Sequence, residues 1–599
     1  MTELLIDGVS VELPQEFNIT VKQENPFFTK NGEYTYDIEL SLNSPVNAKL
    51  YGFLNRLNNT DKIKTDRKAV LVADNRVYID GTEIVTGWSD TSVQIQLVSG
   101  NSELNYFIGS DKLITELDMP VTNPVSGGTV SKNYIEKRYP DVEYNLAAIV
   151  NRTDDRVING WLWDIEVDGN TGKSYVHAPS EIAEYDFIPQ PYLCAYIKYV
   201  LKAIGYSLEY NAIESTPWRD VYIAHVQPTY RWADILRGWT VKDFLTAVEK
   251  FFNATFVIDY KKKSAKLMLN VDYLPQVTIS HVRNVDDIYS VQCEEPEADA
   301  INSNITYNLP STSYYKLRRL SDVAKSAVKR KDVTGDLVSF FSKTENQVVD
   351  TVFNYPSYNR DLIYHDMDIV PVLEIIDEFA DLVRTSDDSV SEYELDFVPV
   401  EIAETGVPVD DPEGSMYRIY LPVTDLSSTA TEEQSYESVV EMAENLQESE
   451  DPKCSIFLGL YSGMAQVGVI NYPMSYTDRY IRTTATPNII SPDGASFNLS
   501  DMETYFYSDT YDIDRRNPVE INSYDANIYP VTNLFEINNK RYLCREIEYT
   551  IGPDGRSGAW KGVFYPIRIS DTEAESRWIL ADGTWRDNGV WLDDGRWLD

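Results

Sequence analysis

A catalytic site needs a nucleophile, a base or a metal, and this 599-residue chain offers few arrangements that supply one. Its four histidines, His177, His225, His281 and His365, are dispersed and show no HExxH or comparable ligand spacing. Cys194, Cys293, Cys454 and Cys544 each stand at least 90 residues from the next, without metal-ligand or redox spacing. The chain has no Gly-x-Ser-x-Gly elbow, no Walker-type phosphate loop and no Gly-x-Gly-x-x-Gly motif after a strand. What remains is carboxylate chemistry, because glycoside hydrolysis needs only two acids held about 5–10 Å apart. With 95 Asp and Glu, the sequence cannot pick the pair. Trp161 and Trp163, beside Asp164, would suit a glycan platform, and Trp-Leu-Trp is equally the pattern of a half-buried strand. The expectation is a chain without catalytic residues, metal or cofactor. The alternative is a carbohydrate-binding protein or glycoside hydrolase using those tryptophans and paired carboxylates.

Charge narrows the partners. Ninety-five acidic residues against 53 basic ones give a net charge of -42 and a pI near 4.4, which disfavours nucleic acid and anionic membrane surfaces. No run approaches the roughly 20 apolar residues of a membrane span, and the start has no basic region followed by an apolar stretch. A cytoplasmically folded protein is expected. The charge is also local: residues 366–453 hold 25 Asp or Glu and only Arg384, Arg418 and Lys453 as basic residues. Seven basic residues between Lys316 and Lys331 meet one acid, Asp322. Lys316, Arg318, Arg319, Lys329 and Arg330 are therefore interface candidates, with an acidic surface of the same chain or of a neighbour as partner. Trp578, Trp585, Trp591 and Trp597 recur at spacings of 7, 6 and 6, the last three in Gly-x-Trp steps. Such a short repeat cannot bury its own indoles and should dock on another surface.

The elements that would position these groups are mostly strands. Leu4 to Ile6 and Val9 to Leu13 flank Asp7-Gly8, and Val77 to Ile79 and Glu83 to Val85 flank Asp80-Gly81, so two hairpins are expected. Tyr34 to Leu42 and Val93 to Leu97 alternate with period two, which describes half-buried strands. Asp168 to Lys173 reads as a hairpin turn. Pro191 to Ile204 carries a helical apolar stripe that Gly205 ends, and a strand-like Tyr206 to Tyr210 follows. Thr240 to Asp243 resembles a capping box opening a second helix, with Phe244, Leu245, Val248, Phe251 and Phe252 inward. Ala254 to Tyr260 and Lys266 to Val271 then form a hairpin about Lys261 to Lys263. Tyr436 to Leu446 marks an amphipathic helix within the acidic stretch.

The fold class is α+β, β-rich and multidomain, with antiparallel sheets or small barrels and a helix-hairpin module. The expected parts are an N-terminal β domain (1–120), a β and helix-hairpin module (121–300), and a β segment with the basic run (301–365). An acidic lobe (366–453), a C-terminal β domain (454–570) and the Trp-repeat tail (571–599) follow.

The run from Leu236 to Asp259 with its following hairpin resembles the helix-hairpin unit of phage baseplate hub and tail-tip proteins. Tyr192 to Tyr206 looks like the companion helix, and Glu24 to Glu39 is similar to the start of prophage tail proteins of Bacteroides-like bacteria. The resemblance implies a virion structural protein, assembled in the host bacterial cytoplasm, that joins tail tube to tip or spike. It also implies a homotrimer with barrel-like domains around an axis, other tail proteins and cell-surface glycan as partners, and no cofactor or active site.

Overall fold

Asp7 and Gly8 both take positive φ (49° and 77°), and Glu3–Ile6 pairs antiparallel with Val9–Ser10 across them, as the Asp-Gly step predicts. Asp80-Gly81, by contrast, is not a turn. The chain reverses at Asp74 and Asn75 (φ 54° and 57°), and Arg76–Trp88 runs through Asp80 and Gly81 as one strand between Arg67–Ala73 and Ser92–Ser99. Gly81 serves close approach, since a Cβ on it would run into the Val98 carbonyl. Asp80 faces Lys68 of the neighbouring strand at 3.3 Å. The expected continuous strand from Tyr34 to Leu42 is likewise divided into Glu33–Thr35 and Ile38–Ser41. Both pieces pair with Ser92–Ser99, and between them the Thr35 hydroxyl accepts the Leu97 N–H at 3.0 Å, which absorbs an extra residue.

The computed structural model describes residues 2–57, 67–102, 112–126, 129–131, 133–154, 156–160, 165–167, 174–176, 183–259, 262–273, 278–286, 290–291, 304–310, 330–335, 337–341, 343–346, 352–355, 360–367, 370–375, 392–408, 416–424, 453–467, 470–478, 495–507 and 512–568. It is a multidomain α+β protein of mixed antiparallel and parallel sheets. Two buried apolar clusters organise it.

The first cluster lies inside the N-terminal strands, where Leu4, Leu40, Ala69, Leu71, Ile95 and Leu97 are wholly or almost wholly buried. The side chain of Asn47 clasps this unit. Its amide oxygen accepts Glu12 N–H at 3.0 Å, and its amide nitrogen donates to the Glu12 and Ser41 carbonyls at 2.9 and 3.0 Å. Pro45–Leu50, the helix that presents Asn47, starts with Ser44 as its cap and Pro45 at its first turn. The same sheet continues into the C-terminal strands. Ile19–Glu24 pairs with Lys540–Gly552, which pairs with Gly555–Arg568 and, through it, with Val519–Ser523. Cys544, Ile547, Tyr549, Trp560 and Phe564 thus share a core with residues more than 400 positions earlier.

The second cluster is built on the helix-hairpin module. Leu193–Ala203 is helical, Tyr196, Ile197, Val200 and Leu201 are buried, and Gly205 follows at φ 90°. Thr240 caps Val241–Phe251 by accepting Asp243 N–H at 3.0 Å, and all five expected apolar side chains are buried. Ala254–Asp259 and Ser264–Leu269 form the hairpin, and Ser207–Asn211 adds to it in parallel with one register shift. Val221–Ala224, Phe397–Pro399, Ile456–Val467 and helix Leu499–Phe506 complete this core. Gly459 lets the Tyr222 ring lie against the backbone, where a Cβ would come within 2.7 Å of the ring. Ile165–Val167 pairs antiparallel with Ser174–Val176, as the hairpin expectation requires, and residues 168–173 lie outside the described residues.

Candidate functional site

Most residues singled out in the sequence cannot be placed in a site. Lys316, Arg318, Arg319, Lys329, Trp161, Trp163, Trp578, Trp585, Trp591 and Trp597 lie outside the described residues, as does the expected helix at 436–446. Arg330 opens the strand Arg330–Asp332, which pairs in parallel with Val352–Tyr355. The acidic stretch contributes strands, among them Val370–Ile375, Glu401–Pro408 and Met416–Thr424.

The reactive groups that are described are held apart. Cys194, Cys454 and Cys544 are buried free thiols. Burial pushes all three upward, Cys454 to about 11, which makes them poor nucleophiles. His225 is buried, with Nε2 at 2.9 Å from the Pro189 carbonyl. Burial drives its pKa down to about 4 against the opposing pull of that carbonyl, so the ring is neutral at pH 7. His281 is exposed and faces Glu536 at 3.2 Å. Two carboxyls, Glu83 and Glu249, are raised by burial, yet each is committed to structure. Glu83 meets Arg67 and the Tyr51 hydroxyl, while Glu249 meets Lys30 and accepts the Phe256 N–H. Among the described residues, no cluster of His, Cys, Asp or Glu could hold a metal ion.

Carboxylates do gather on one face of the long sheet. A polar cleft of about 290 Å³ is lined by Glu520, Arg545, Glu546, Glu548 and Lys561, with Pro518 and Val563 at its apolar wall. Strand register creates it. Glu546 and Glu548 are two apart and so share a face, and Lys561 stands opposite Glu548. Lys561 binds Glu520 at 2.8 Å, and Lys22 reaches Glu546 at 3.0 Å and Glu24 at 3.2 Å. Burial works against the Lys22 charge, but the hydrogen bond and charge of Glu546, helped by Glu24, hold its pKa above the ordinary value. Burial likewise opposes ionisation of Glu24, and hydrogen bonds from Tyr34, Asn31 and Thr29 outweigh it and lower the pKa. The acids are interleaved with bases across strands, an arrangement that fixes register.

The tyrosines behave unlike a surface set. Tyr192, Tyr196, Tyr222, Tyr461 and Tyr472 are fully buried or nearly so. Several hydroxyls tie distant backbone: Tyr196 donates to the Trp232 carbonyl (3.1 Å), Tyr461 to Ile135 (2.7 Å) and Tyr307 to Phe497 (2.6 Å). The observed use is as core material with a polar handle.

A third set of residues joins the two cores. Phe27 stacks on Tyr273 with ring centroids 3.8 Å apart. The Asn25 side-chain amide donates to the Tyr273 hydroxyl and to the Val531 and Cys544 carbonyls at 2.8–3.2 Å. Lys30 and Asn101 reach across from the N-terminal part of the chain to the strand Ala254–Asp259. The signal for this junction in the sequence was Asn25-Pro26-Phe27, a capped one-turn helix whose role needed the fold to become visible.

No family model matches the chain, and no curated protein matches it in sequence. Solved structures align with it loosely. A 43 kDa tail protein of prophage MuSo2 from Shewanella oneidensis aligns over 95% of this chain and 97% of that one, at 8% identity and a TM-score of 0.27. The tail protein from Neisseria meningitidis MC58 aligns over 94% and 96%, at 7% identity and a TM-score of 0.23. Among the described residues no helix is long and apolar enough to cross a membrane.

Proposed function

We propose that the chain is a structural component of a phage-type tail, a baseplate hub or tail-tip protein that works by assembly and performs no catalysis. The observation that carries the reading is the helix-hairpin module. The stretch whose residues resemble hub proteins folds as Leu193–Ala203, Ser207–Asn211, Val241–Phe251 and the hairpin Ala254–Leu269, the unit that the resemblance implies. Its apolar face is covered by strands from elsewhere in the same chain, so the module serves as a scaffold for the long sheets. In this reading the protein forms a homotrimer and contacts other tail proteins. The carboxylates of the cleft, interleaved with Lys22, Arg545 and Lys561, fit a load-bearing sheet better than an acid/base pair. Light scattering with size separation on the purified chain tests the assembly part, with a mass of three chains expected at micromolar concentration. A chain that remains 68.5 kDa both alone and when mixed with the proteins of a tail preparation contradicts it.

A further inference from the structure

The strand Ala254–Asp259 is the edge of its three-stranded sheet, and among the described residues no strand lies beyond it. All six residues pair in register with Ser264–Leu269, and the Phe256 carbonyl, Phe256 N–H and Ile258 N–H point away from that partner, as their bonds to side chains show. A six-residue run of Ala-Thr-Phe-Val-Ile-Asp with a bare edge is a template for pairing with another chain. Here the edge is not bare: the short helix Pro26–Thr29 packs against the strand, and side chains take up its outward backbone groups. The Asn101 amide nitrogen donates to the Phe256 carbonyl at 2.6 Å, and its oxygen accepts the Ile258 N–H at 3.1 Å. The Glu249 carboxylate accepts the Phe256 N–H at 2.7 Å, and Lys30 Nζ donates to the Ala254 carbonyl at 2.9 Å and to the Thr255 hydroxyl at 2.8 Å. Lys30 and Glu249 stand 3.7 Å apart and neutralise each other. Asn101 bonds residues two apart with one donor and one acceptor, as a residue of a neighbouring strand would.

We infer that Asn101, with Lys30 and Glu249, is an edge guard: a substitute for a strand that keeps Ala254–Asp259 from pairing with the same edge of a second copy. Two of the three guards, Lys30 and Asn101, come from the N-terminal part of the chain, so the edge is fully closed only while the two cores are docked. The other edge of the sheet, Ser207–Asn211, is protected differently, by its short length and a register shift between Leu208 and Tyr210. The inference does not depend on the tail reading, because it concerns association beyond whatever oligomer the native chain forms.

The test compares native chain, Asn101→Ala, and Asn101→Ala combined with Val257→Lys, in sedimentation runs over a hundredfold concentration range. Amide hydrogen exchange at Ile258 is read on the same samples. Val257 is half-buried, and a lysine there places a charge on the opened edge. Expected is association of Asn101→Ala at a concentration at least tenfold lower than the native chain needs, with faster exchange at Ile258 and reversal by Val257→Lys. Native-like association of a folded Asn101→Ala overturns the inference, and so does association that Val257→Lys leaves unchanged. Should Asn101→Ala fail to fold, Asn101→Asp is read by the same criteria, since it keeps the acceptor for Ile258 and loses the donor to Phe256.

Discussion

The two cores are made in opposite ways. The helix-hairpin core gathers around a segment of about eighty residues whose turns, caps and apolar stripes lie next to one another in the chain. The other core joins strands from the first hundred residues to strands after residue 518. Its pairings carry a large loop-closure cost before any contact rewards them. Local chemistry writes the first core, whereas the second is written in complementary faces that become visible only when brought together.

The largest expected effect is at the centre of the local core. Phe251 is almost fully buried against Phe252, Phe397 and Phe497, so Phe251→Ala should cost about 3–5 kcal/mol. Urea melts followed by indole fluorescence would read it. If the comparison is sound, the transition of the helix-hairpin core moves first, and a common shift of both cores would show one cooperative unit.

Acid sharpens the same division. His225 lies in the helix-hairpin core and is held neutral to about pH 4, while an unfolded histidine titrates near 6.5. The unfolded chain therefore takes up the proton first. The stabilisation is complete above about pH 6.5 and is lost as pH falls toward 4, by roughly 3 kcal/mol. Melts at pH 7 and 4.5 should show His225→Gln less sensitive to acid than the native chain by a comparable amount.

The clasp of the other core is next. Asn47→Ala strands the Glu12 N–H and removes bonds to the Glu12 and Ser41 carbonyls, for a loss of about 1–3 kcal/mol. Protease susceptibility should rise within the first hundred residues and leave residues 190–270 unchanged. The smallest effect is the loss of the helix cap. Thr240→Ala frees the Asp243 N–H and should cost about 1 kcal/mol, seen as a lower urea midpoint at constant slope.

What was legible in the sequence follows the same line. Thr240, Gly205 and the Asp7-Gly8 turn each act within a few residues, and each does what its type and position require. Asp80-Gly81 misled because glycine has two uses, and here close approach to Val98 outweighs turning, which Asp74 and Asn75 perform with positive φ of their own. Tyr34 to Leu42 misled because alternation says nothing about a side chain, that of Thr35, standing in for backbone. The joining of the chain ends, the parallel addition of Ser207–Asn211 and the guard at Asn101 all depend on distant partners that no local pattern marks. The charge segregation was plain in the sequence. Its counterpart on the sheet, the ladder of Lys22, Glu546, Glu548 and Lys561, needed strand register to appear.

The proposed place of this chain in a tail can be tested on whole particles. The most direct measurement is quantitative mass spectrometry of purified, intact particles from cells that carry the gene, with the chain counted against the tail-tube subunit. Peptides from both cores are expected at a small, fixed number of copies per particle, three for a homotrimer. Particles that form and inject without the chain, or contain it only in variable trace amounts, would contradict it.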